Sequence, residues 1–165
     1  MALVVEDGTG LATAESYASV AQLKTYCDNL GLSYSGKTDE QLEQYLRAAT
    51  RYIEDEFRWA TGCKRTSDQA LFWPASGACD RYGYAIDTDV VPTVVIQATC
   101  QAAFEAFSGD LQPSQGQTVN ELAVGPIKLK FDDQATAETT YAKVEGLLRD
   151  LVRSADSAMV DLYLV

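Results

Sequence analysis

The sequence contains no histidine. That removes the imidazole on which most general acid–base chemistry and many metal sites rely, and neither a G-x-S-x-G elbow nor a Gly-rich phosphate loop stands in for it. No catalytic residue, cofactor or metal ligand is assigned, and the expectation is a protein that is not an enzyme. Cysteine is scarce: Cys27, Cys63, Cys79 and Cys100 are scattered without a CxxC pair, which argues against zinc. Cys27 and Cys100 fall in helical patterns and read as buried thiols, Cys63 and Cys79 lie near turns, and no disulfide is required. Asp87 with Asp89, and Asp132 with Asp133, lack EF-hand spacing and read as turn and cap residues. No apolar run is long enough to span a bilayer and no charged-then-apolar leader follows Met1, so the expectation is synthesis in the cytoplasm with no membrane partner. Basic residues are outnumbered, 13 Lys and Arg against 24 Asp and Glu. The resulting net charge of -11 repels phosphate backbones unless a local basic patch overrides it.

What is present suits one globular domain. The 165 residues are 47% hydrophobic and 10% aromatic, enough for a real core. The chain is organised around QALFWPASGACDRYGYAIDTDVVP, which lies between two long helical patterns. Leu71, Phe72, Trp73 and Pro74 form an apolar cluster, and the proline disfavours αR geometry at Trp73, so the cluster reads as an extended aromatic plug that anchors helices. Gly77, Gly83 and several aspartates then mark a turn-rich loop carrying Tyr82 and Tyr84, until Pro92 opens the next helix.

In chain order, Leu3, Val4 and Val5 form a short strand-like run closed by EDGTG, and residues 1–18 read as an N-terminal arm outside the core. Residues 19–109 read as the helical core, with the plug and loop at 63–91. Ser19 with Gln22 is a capping-box pattern for a first helix ending at Gly31, and Thr38 with Gln41 opens a second that carries its apolar stripe through Phe57 and Ala60 to Gly62. Glu54, three residues from Arg51 and four from Arg58, is placed to pair with them at ~0.3 kcal/mol each. Arg47, Arg51, Arg58, Lys64 and Arg65 are the one basic grouping, read as a solvated or subunit-bridging face. The helix after Pro92 has a single charge, Glu105, and is apolar on most sides; a central position in the monomer and packing against a second subunit both fit. Residues 119–131 read as a β-hairpin in which Ile127, Leu129 and Phe131 alternate with Lys128 and Lys130. A last helix is expected over 140–154, and Leu162, Leu164 and Val165 end a C-terminal arm at 155–165. The fold class is mainly α: a small bundle of about four helices with a β-hairpin and extended terminal arms.

Taken together, MALVVEDGTGLATAESY, ATRYIEDEFRW, QALFWP, DRYGYAID running to VVP, and VGPIKLKF resemble, in the same order over nearly the whole chain, a family of small phage structural-cluster proteins. That family is often labelled "DnaT-like single-stranded-DNA-binding", and its members resemble the head–tail connector adaptors of tailed phages. The resemblance implies a virion protein made in the bacterial cytoplasm and placed at the head–tail junction. Its implied partners are copies of itself in a dodecameric ring, the portal protein, tail or tail-terminator and head-closure proteins, and duplex DNA passing through the lumen. In that setting Leu3, Val4, Val5, Ile127, Leu129, Phe131, Leu162, Leu164 and Val165 join subunits by strand addition. The alternative is a single-strand-binding replication accessory, for which Arg81, Tyr82 and Tyr84 are the candidate contacts. Against it stands the net charge, which favours packing of both tyrosines over helices or on a neighbouring subunit.

Overall fold

The computed structural model describes residues 2–109, 111, 121–124, 127–130 and 141–152. Among these residues there are four helices and two small antiparallel ribbons: α1 Val20–Leu30, α2 Asp39–Glu56, β1 Cys63–Lys64, β2 Ala75–Ser76, α3 Thr93–Glu105, β3 Glu121–Val124, β4 Ile127–Lys130 and α4 Ala142–Leu148. This is the small helical bundle with a hairpin that the sequence pattern implies.

Both capping boxes form. Ser19 and Thr38 accept from the backbone N–H of Gln22 and Gln41, whose side chains reach back to the cap N–H, and Gly31 closes α1 in the left-handed conformation. The apolar stripe of α2 buries Leu42, Leu46, Ala49 and Ile53. α3 is the central helix, packed against α1, α2 and α4, because its alanines allow close approach on several sides. In the β3–β4 ribbon, Leu122 pairs in register with Leu129 and Val124 with Ile127.

Three expectations need correction. The second helix ends at Glu56, not Gly62, because Phe57 turns to extended geometry (φ -100°, ψ 137°). There its ring packs edge-on against Tyr52, and the chain beyond it runs alongside the end of α4: Trp59 bridges Val152, and the Ala60 N–H donates to the Leu151 carbonyl at 2.8 Å. The last helix is shorter for the same reason. α4 stops at Leu148, residues 149–151 form a turn, and the Leu151 carbonyl and Val152 pair with the chain at Ala60 and Trp59, which satisfies backbone groups that the helix end leaves open.

The third correction concerns the N-terminal stretch, which is part of the core and not an arm outside it. Tyr17 is 1% exposed, and Ser16 and Ala18 are fully buried. Leu3, Val4 and Val5 are half-buried and find their pairing partner in their own chain: Val5 bridges Ser16, the Glu15 N–H donates to the Val4 carbonyl at 2.8 Å, and the Glu6 N–H donates to that of Ser16 at 2.9 Å. EDGTG then wraps around a buried carboxylate. Glu6 accepts from the backbone N–H groups of Gly8, Gly10 and Leu11 at 3.0, 2.8 and 2.8 Å, which satisfies the turn internally. Gly8 has φ +97°, and a Cβ there would stand 2.0 Å from the Asp89 carbonyl oxygen, so only glycine lets the loop close on the 80s segment. Of the strand-addition residues, Ile127 and Leu129 lie in β4, and Phe131, Leu162, Leu164 and Val165 lie outside the described residues.

Candidate functional site

The plug belongs to the hydrophobic core. Trp73 is 1% exposed, Leu71 and Pro74 are buried, and Phe72 is half-buried. Trp59 joins them, stacked on Phe72 at 5.5 Å and edge-on to Trp73 at 5.6 Å, geometries that aromatic quadrupoles favour. The plug's backbone is tied down by side chains from elsewhere. The Tyr17 hydroxyl accepts the Trp73 N–H at 3.1 Å and donates to Glu54, whose other oxygen accepts the Phe72 N–H at 3.1 Å. Gln69, also buried, donates to the carbonyls of Leu71, Phe72 and Pro74. Trp73 Nε1 has no hydrogen-bond partner among the described residues.

Glu54 therefore does not hold the role its helical spacing suggests. Its carboxylate turns inward to Tyr17 and the plug, and among the described residues it makes no ion pair with Arg51 or Arg58. Burial pushes its pKa up, and the bonds from Tyr17 and Phe72 hold it back only in part. Burial, with the Glu54 charge second, drives the Tyr17 hydroxyl well above its ordinary value, so it remains a donor at neutral pH. Burial likewise raises the Cys100 thiol to about 12, whereas Cys63 is exposed in β1.

Beyond β2 the chain makes a tight antiparallel turn. Cys79 bridges Ala85, the Asp80 N–H donates to the Tyr84 carbonyl at 2.9 Å, and the Ile86 N–H donates to that of Ala78 at 2.9 Å. The Asp80 carboxylate caps the tip by accepting from the N–H groups of Tyr82 and Tyr84, both at 2.9 Å, and Gly83 supplies the positive φ of +86°. The tip is thus fixed in shape yet uncovered. Tyr82 and Tyr84 are each 73% exposed, so the expectation that they pack over the chain's own helices is corrected. Arg81 sits 5.1 Å from the Tyr82 ring and donates to both Asp150 oxygens at 3.1 and 3.2 Å, tying the tip to the end of α4.

A second feature, not anticipated from sequence, is an open cleft of about 440 Å³ between the end of α2 and the plug. Glu54, Phe57, Arg58, Trp59, Lys64 and Phe72 line it. The sequence signal was the coincidence of the basic grouping with FRW and LFW, but only the turn at Phe57 brings Trp59 to Phe72. Lys64 donates to the carbonyls of Gln69 and Ala70, both at 3.1 Å, and Arg58 has no ion-pair partner among the described residues. Among the described residues there is no group of three or more potential metal ligands, and no helix is long and apolar enough to cross a membrane.

Comparison with curated proteins gave no match, and comparison with solved structures gave none. A family model does match, over residues 1–164, and its span takes in the docked N-terminal stretch, the plug, the tyrosine tip and the hairpin. The chain belongs to the family described as "Putative DnaT-like ssDNA binding protein".

Proposed function

We propose that this protein is a structural adaptor that works by docking other protein surfaces, as a ring subunit joining capsid to tail beneath the portal of a tailed phage. The observation that carries this reading is the tyrosine tip: two aromatic rings, each 73% exposed, on a loop whose backbone is already locked by Asp80. Rigid exposed tyrosines lose little entropy on burial and are enriched at protein interfaces. Their surroundings are acidic, since residues 80–89 hold three aspartates and one arginine, and that arginine is engaged by Asp150. A phosphate backbone approaching the tip meets repulsion, whereas a partner with basic residues around an apolar pocket does not. The place in the virion rests on the sequence resemblance.

A second reading, single-stranded DNA binding as a replication accessory, is favoured by the family's description and by the Arg81 guanidinium over the Tyr82 ring. One experiment separates them. If the chain is an adaptor, fluorescence anisotropy with single-stranded oligonucleotides across a salt series stays flat, and the protein co-sediments with portal assemblies. Micromolar or tighter binding that falls steeply with salt and weakens in Tyr82→Ala and Arg81→Ala, where a stacked base contributes about 1–3 kcal/mol, overturns the adaptor.

A further inference from the structure

Among the described residues, two open surfaces have opposite character. The tip presents Tyr82 and Tyr84, and Asp87 and Asp89 follow in the chain beyond the base of the turn, all exposed. The cleft presents aromatic walls, Trp59 and Phe72, with the cations Arg58 and Lys64 in its lining. Among the described residues its one carboxylate is Glu54, whose two oxygens accept the Tyr17 hydroxyl and the Phe72 N–H. Lys64 donates to the carbonyls of Gln69 and Ala70 and its charge acts on the Glu54 carboxylate, whereas Arg58 has no ion-pair partner among the described residues and is the cleft's surplus cation.

We propose that the tyrosine tip of one copy seats in the Trp59–Phe72 cleft of another, so that copies of this chain associate head to tail. The inference rests on the assembly reading above and names the surfaces that carry it. Complementarity argues for a second copy as the occupant. The cleft asks for an aromatic group accompanied by negative charge, and every copy displays that combination on a preformed loop. A tyrosine ring entering the cleft meets aromatic faces and edges, and lies within reach of cations that favour its π face. The three aspartates of residues 80–89 give the tip's segment a charge opposite to the cleft's surplus cation, which steers the approach. A cleft of about 440 Å³ falls within the ~300–1,000 Å³ range of pockets that enclose an anchoring group. Because tip and cleft are different patches, the contact is heterologous: each copy that donates a tip also offers an empty cleft, and repetition closes a ring or extends a filament. A nucleotide is also an aromatic group with an anion, so nucleic acid is the competing occupant.

The test uses the full chain in sedimentation velocity over a concentration series. Arg58→Glu alters the cleft without touching a hydrogen bond of the plug, and Tyr82→Ser/Tyr84→Ser alters the tip at exposed positions; circular dichroism checks that both variants keep their helices. Wild type is expected to self-associate, and each variant to do so about thirtyfold more weakly, as loss of an aromatic or charged hot spot gives. Mixed in equal amounts, the two variants are expected to form 1:1 dimers, since one supplies an intact tip and the other an intact cleft. A monomeric wild type, variants that associate as wild type does, or a mixture that stays monomeric each overturn the proposal. So does an oligonucleotide that binds wild type and loses affinity in Arg58→Glu, which assigns the cleft to nucleic acid. Wild-type association or portal co-sedimentation unaffected by both variants removes this contact while leaving the adaptor reading in place.

Discussion

Replacing Tyr17 by phenylalanine removes one oxygen atom and tests whether the N-terminal stretch holds the plug. The ring stays, so packing is preserved and the loss is confined to hydrogen bonds. That oxygen accepts the buried Trp73 N–H at 3.1 Å and donates to Glu54. An orphaned buried N–H costs about 1–3 kcal/mol, and a hydrogen bond to a charged group contributes about 1.5–3 kcal/mol. Both run through the same atom, so they do not add in full, and the expected destabilisation is roughly 3 kcal/mol. That is a large share of a typical domain's stability of about 5–15 kcal/mol. Urea denaturation followed by tryptophan fluorescence and far-UV circular dichroism should show the midpoint fall with an unchanged slope, because the surface exposed on unfolding hardly differs. A loss below about 0.5 kcal/mol would refute the argument, since it would mean that the network does not hold the plug against solvent.

Two further outcomes follow from the same centre. Glu54 has a folded pKa raised by burial, so the folded state holds its proton over a window in which the unfolded state has released it. Its contribution to stability is complete below the ordinary glutamate value of 4.5 and is lost as pH rises through the raised folded value. Glu54→Gln should therefore flatten the decline of stability with pH across that window, measured as thermal midpoints in a buffer series; an unchanged profile would show that the carboxylate does not titrate abnormally. Gly8→Ala forces a Cβ toward the Asp89 carbonyl at a positive φ, which should cost about 2 kcal/mol or more and render the N-terminal stretch sensitive to limited proteolysis. Wild-type resistance in that variant would show that the close approach is not required.

Much of this protein is determined locally and was legible in the order of its residues. Ser19 with Gln22 and Thr38 with Gln41 cap helices through bonds that span three residues, Gly31 stops α1 because it alone tolerates the left-handed turn cheaply, and the stripe from Leu42 to Ile53 sets the face that α2 buries. The strand pairing of β3 with β4 follows from alternation around a short connection. The lack of histidine and the excess of acid likewise bound the chemistry before any fold is known.

Other features depend on residues far apart in the chain, and no periodicity announces them. α2 stops at Glu56 because Trp59 and Ala60 are held by Val152 and Leu151, about ninety residues on, and local helical propensity at Phe57 yields to those contacts. Glu54 has arginines at helical spacing, yet it faces Tyr17 and Phe72, since a partly buried carboxylate gains more from backbone and hydroxyl donors than from solvated surface ion pairs. The stretch at residues 2–18 reads in sequence as an arm with a short strand-like run, and only its closure against Asp89, Arg65 and Glu54 makes it part of the core. The cleft has the same origin. Sequence placed Trp59 and Phe72 thirteen residues apart, and tertiary packing stacked them beside Arg58 and Lys64, because long-range apolar burial decides which aromatic groups meet once local geometry has set where each helix begins.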